Sequence, residues 1–146
     1  MSVPIALFIT GAVVALAIAC GFVIRAQDGR RRSGGHLRVR AEDLAGRPLA
    51  SAATLVQFST ELCARCPQVR RLLGQIADEH ADVAHMEIDL TNRNDLATRY
   101  HVLQTPTTFL VDGSGAVLSR WGGVPNRAAI DQALSSALIL NLQEQK

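Results

Sequence analysis

Charge is absent from the first 24 residues, and lysine is almost absent from the whole chain: fourteen of the fifteen basic residues are arginine. Aromatic residues are also scarce, at 4%, with one tryptophan and one tyrosine. Few aromatics means few surfaces on which bases could stack, which argues against nucleic-acid binding. Cysteine occurs three times, too seldom and too unevenly for a disulfide-stapled scaffold. No internal repeat is visible.

What is present divides the chain into unlike parts. Residues 3–24 read VPIALFITGAVVALAIACGFVI, and about 20 apolar residues suffice to cross the ~30 Å hydrocarbon core of a bilayer. A cleavable signal would show a basic n-region and a shorter apolar core; nothing basic but the terminal amine precedes this run. The segment is therefore expected to be a transmembrane anchor, with Cys20 a small apolar helix residue in it. Residues 25–40 carry six arginines against Asp28, a net of +5. Positive charge near a span tends to stay cytoplasmic. The expectation is a single-pass protein of the cell membrane with its domain facing the cytoplasm, the extracytoplasmic orientation being the alternative. Residues 25–35 read as a basic flexible linker.

Residues 36–146 alternate strand-length and helix-length patterns. Strands are expected at His36–Arg40, Thr54–Ser59, Asp82–Asp89, Thr107–Val111 and Ala116–Arg120. Helical segments are expected at Ala41–Ala45, after the cysteines to about His80, at Asn94–His101 and from about Arg127 to 142. The resulting order, β-α-β-α-β-α-β-β-α, calls for an α/β fold: a central mixed sheet with helices on both faces.

The chemistry-bearing residues are Cys63 and Cys66. They form a C-x-x-C between the strand TLVQFS and the following helix. Unpaired N–H groups and the dipole at a helix start favour a thiolate, and Arg65 adds positive charge nearby. Thiolate is the nucleophile of disulfide exchange. A cysteine three residues on can resolve the mixed disulfide. Pro67 suits a first helical turn. Some forty residues later, Thr105-Pro106-Thr107 precedes a strand, where a proline is a candidate cis peptide beside the dithiol.

Together these signs make residues 37–146 resemble the thioredoxin family: the chain order, the CxxC after TLVQFS, the VAHMEID strand, the TPT turn and the hairpin ending in Trp121-Gly122-Gly123. The resemblance implies a thiol–disulfide oxidoreductase, with Cys63 attacking, Cys66 resolving, and Pro106 with Thr105 docking substrate. It implies protein or small-molecule thiols and disulfides as partners, an electron donor or acceptor outside the chain, and no bound cofactor. Three positions depart from the family pattern. Leu62-Cys63-Ala64-Arg65-Cys66 stands where WCGPC is common. The buried aspartate of many members falls on Gln57, which cannot titrate, and the lysine of the next strand falls on His85. Proton exchange at the site should therefore be less efficient, or use His85 or a water. Two alternatives stand beside this reading. One is a copper- or zinc-handling module using the CxxC, although His36, His80, His85 and His101 show no ligand-type spacing. The other is a non-catalytic binding domain of the same shape.

Overall fold

A computed structural model describes residues 3–27 and 29–144. Asp28 of the basic stretch and the last two residues lie outside the described residues. Helix α1 spans Val3–Gln27, and its apolar window, Pro4–Val23, is long enough to cross a membrane and buries none of itself. The remaining elements are β1 (Arg31–Ser33), a short 3-10 helix (Ala41–Leu44), β2 (Ala53–Ser59), α2 (Cys66–Asp78), β3 (Val83–Asp89), α3 (Asn94–Arg99), β4 (Thr107–Asp112), β5 (Val117–Gly122) and α4 (Arg127–Glu144).

The strands form one sheet in the order β1-β5-β4-β2-β3. Only β2 and β3 run parallel. A parallel pair needs a long crossover, and α2 supplies it. All seven residues of β2 are buried because both faces of the sheet are covered. Successive side chains point to opposite faces. Leu55 packs with Val69, Leu73 and Ile76 of α2 and with Ile130 and Leu134 of α4. Val56 and Phe58 pack on the other side with Leu44, Leu96 and Tyr100. There the Phe58 ring lies 4.8 Å from Phe109 and 5.4 Å from Tyr100, centroid to centroid. Tyr100 also donates its hydroxyl to the buried Asp43, to which Arg99 is paired.

The first strand differs from expectation. It lies at Arg31–Ser33, inside the stretch expected as linker, while His36–Arg40 contributes only an isolated bridge, Arg38 to Ala116. Its residues are all exposed, so no apolar alternation marks it. Backbone pairing with β5 alone makes it a strand. A second irregularity sits in β5, where the register shifts: Leu110 faces Ser119 but Val111 faces Val117. The extra residue, Leu118, is a bulge, and it sends Val117 and Trp121 to opposite cores although they are an even number apart.

The chain direction in the sheet decides what lies near the dithiol. β2 runs toward it, β4 starts beside it and β5 returns to it. β1 is antiparallel to β5, with Arg31 opposite Trp121 and Ser33 opposite Ser119. The start of β1 is therefore at the dithiol end of the sheet.

Candidate active site

The loop after β2 turns at once into α2. The Cys63 N–H donates to the Thr60 carbonyl at 3.1 Å, and the Cys66 N–H to the Cys63 carbonyl at 3.2 Å. Cys66 is the first residue of α2, and Pro67, lacking a donor, occupies its first turn where no intrahelical partner is required. Cys63 and Cys66 are joined in a disulfide, with Cα atoms 5.4 Å apart. Cys63 is half-buried, and Cys66 is 3% exposed. Only the first sulfur is placed to meet a large partner. Arg65, between them, is exposed.

The opposing rim is the loop before β4. The Thr105–Pro106 peptide is cis. The Thr105 and Thr60 hydroxyls meet at 3.1 Å, bridging the two loops. The Thr107 hydroxyl donates to the Gln104 carbonyl, and the Gly123 N–H donates to the Pro106 carbonyl at 2.7 Å. Pro106 itself is buried. The exposed apolar groups of these loops are Leu62, 98% exposed, and Leu103, 95% exposed. Leu103 was not legible in advance, since one leucine in a loop carries no periodicity.

Beneath the dithiol, the sheet presents polar groups on the α2 face. Gln57 is fully buried. Its side-chain N–H donates to the Cys66 carbonyl at 3.0 Å, and its Oε1 lies 3.2 Å from His85 Nε2. With Oε1 accepting, His85 must carry its proton on Nε2. Burial holds the imidazole below its ordinary value; the Glu87 carboxylate pulls it up, and Arg70 and Arg47 push it down. Beside it, Glu87 accepts two bonds from Arg70, both 2.7 Å, and one from Ser59 at 2.6 Å. Burial alone would raise the Glu87 carboxyl, but these hydrogen bonds and the Arg70 charge hold it below the usual range. The family resemblance pointed to Gln57 and His85, and strand register brings them into contact. The resemblance missed Ser59, Arg70 and Glu87, which only strand register brings together. Farther along the same row, Gln57 pairs with Thr108 and Thr108 with Trp121. Thr108 Oγ1 and Trp121 Nε1 are buried without a protein partner.

Among the described residues, no three His, Cys, Asp or Glu side chains come together as a metal would require. His36, His80 and His101 are not at the site: His36 and His101 are exposed, and His80 follows the end of α2.

A strand, a CxxC at a helix start and a cis proline facing it define a thioredoxin-type site. The Thioredoxin family model matches residues 44–136, and the chain belongs to that family. It is 28% identical over 82 residues to Thioredoxin-2 of Saccharomyces cerevisiae, a match covering 56% of this chain and 77% of that protein. Among solved structures, it resembles oxidised mitochondrial thioredoxin 3 from Saccharomyces cerevisiae (TM-score 0.51, 20% identity, 59% of this chain and 79% of that one). Fasciola hepatica thioredoxin is similar (TM-score 0.52, 19% identity, 60% and 83%). So is a chain from a structural study of thiol resolution in yeast mitochondrial 1-Cys peroxiredoxin through the glutathione and thioredoxin systems (TM-score 0.54, 17% identity, 72% and 99%). With its CxxC intact, the chain is a thiol–disulfide oxidoreductase.

Proposed function

We propose that this chain is a membrane-tethered oxidoreductase that reduces disulfides of protein or small sulfur-carrier partners on the cytoplasmic side. The observation that carries the reaction is the Cys63–Cys66 disulfide at the start of α2, with its first sulfur accessible and its second buried. In the reduced form, the Cys63 thiolate attacks a partner sulfur and a mixed disulfide forms. Cys66 then loses its proton and attacks the Cys63 sulfur. The partner leaves as a dithiol, carrying the two electrons and the protons, and the chain is left oxidised as seen here. Thiolate character at Cys63 comes from the helix N-terminus. Thr105, Pro106 and Arg65 border the path by which a partner arrives. Gln57 holds the Cys66 carbonyl, and through it His85 stands where it can take part in proton exchange.

The tether rests on α1, which is apolar, long enough to span and unburied. The orientation rests on the arginines that follow it, each worth ~1 kcal/mol near an anionic leaflet. The test is to reduce a model protein disulfide with the full chain in vesicles. Cys63→Ser should abolish turnover. Cys66→Ser should leave a trapped mixed disulfide on Cys63. A reduction potential near the ~−270 mV of thioredoxin supports the reductase, whereas one near the ~−120 mV of a strong oxidant would overturn it.

A further inference from the structure

The chain leaves α1 and joins the domain with very little slack. From Val23, the end of the apolar window, to Gln27 the backbone is helical. Helical rise over that stretch plus the greatest reach of two further residues keeps Gly29 within about 13 Å of the hydrocarbon. The headgroup layer takes up roughly half of that. Gly29 is then fixed to the domain. Its N–H donates to the Gly122 carbonyl at 2.6 Å. Its φ of +72° and a Cβ position 2.3 Å from the Val124 carbonyl oxygen leave room for glycine alone. The residue just after β5, Gly123, donates to the Pro106 carbonyl. Two backbone hydrogen bonds thus join the membrane exit to the rim of the site.

The sheet order says the same at larger scale. β1 enters at the dithiol end and lies three strand spacings from β2, or ~14 Å. The turn joining β4 to β5, at Asp112–Ala116, is at the far end of the sheet, a strand length of ~20 Å away. The dithiol end of the sheet is thus nearer the exit point than the hairpin is.

We propose that the dithiol rim faces the membrane surface, and that the chain's redox partner is an integral membrane protein whose exchanging cysteines lie at that surface. The inference rests on reading α1 as an anchor. The exposed Leu62 and Leu103 belong to the rim loops, where they suit an apolar, membrane-seated partner. A folded soluble protein of 100 residues has a radius of gyration of ~13 Å, so it fills the narrow gap beneath the rim poorly. The exchange is balanced without another reactant. The partner's disulfide is reduced to a dithiol as Cys63–Cys66 is oxidised, two electrons and two protons passing over.

The experiment uses the full chain with Cys20→Ala, reconstituted in phosphatidylcholine vesicles containing a headgroup-nitroxide lipid. A fluorophore is placed on Cys63 in a Cys66→Ser chain. In a second chain, with Cys63→Ser and Cys66→Ser, it is placed through Ser114→Cys at the hairpin. Quenching should be several-fold stronger at Cys63, and Gly29→Val or a long Gly/Ser insertion before Gly29 should shrink the contrast. Equal quenching, or stronger quenching at the hairpin, overturns the inference and leaves the anchor standing. A chain that fails to float with the vesicles overturns both. The partner class is read with a disulfide peptide coupled to a lipid headgroup and the same peptide coupled to a soluble globular carrier. The lipid-held form should be reduced several-fold faster, with the insertion narrowing the ratio. A faster soluble form overturns the partner assignment.

Discussion

Gln57 and His85 meet across neighbouring strands at 3.2 Å, while the Gln57 amide is already committed to the Cys66 carbonyl at 3.0 Å. The buried position under Cys66 is therefore held by a neutral group with both ends satisfied. Replacing Gln57 by leucine should cost about 1–3 kcal/mol, because the Cys66 carbonyl and the imidazole N–H each lose a buried partner. Urea denaturation of the oxidised protein measures it. Gln57→Asp should instead add an ionisation, shifted above the ordinary carboxylate range by burial, to the pH profile of mixed-disulfide resolution.

His85 sets a pH dependence of stability. Its folded value is depressed, so below its unfolded value of about 6.5 the unfolded chain binds the proton more readily. Stability should fall as pH drops from about 7 through the His85 range and should be level in this respect above it. His85→Gln should remove that slope. Denaturation midpoints across this window check it, and an unchanged slope in the variant would sink the assignment.

Glu87 acts at lower pH. Its folded carboxyl is also depressed, so its contribution is present above the ordinary glutamate value of ~4.3 and is lost as pH falls through the folded value. The Arg70 side chain is 56% exposed and that of Glu87 24%, so solvent screening limits the pair to at most ~1 kcal/mol. Glu87→Gln should cost about that at neutral pH and flatten the acid limb of the curve.

Thr108 carries a buried hydroxyl without a protein partner. Val has its shape without the polar group, so Thr108→Val should be neutral or stabilising, since removing an unsatisfied buried group removes its desolvation cost. A loss of ~1 kcal/mol or more would mean that the hydroxyl has a partner in solution, such as a bound water.

The parts of the molecule legible in the sequence are those written in local pattern. The strand TLVQFS running into Cys63, the helix with Pro67 in its first turn and the turn Thr105-Pro106-Thr107 all lie where local pattern puts them. β1 was not legible, because Arg31-Arg32-Ser33 has no buried face and owes its shape to a partner strand some ninety residues later. Nor was the separation of Val117 from Trp121, which depends on the bulge at Leu118. At the site, the family resemblance could nominate Gln57 and His85 singly. That they touch, and that Glu87 sits between Ser59 and Arg70, follows from the parallel register of β2 and β3, which no single segment encodes.

The shortness of β1 has a consequence for neighbours. An open sheet edge with free backbone groups is a template for pairing with another chain. Here the outermost strand has three residues, two of them arginines, with Arg31 also bonded across to Ser119. A second copy brought alongside would meet like charge on a ledge too short to extend its own sheet. The strand that follows α1 and closes this edge of the sheet thus also discourages edge-to-edge assembly of domains.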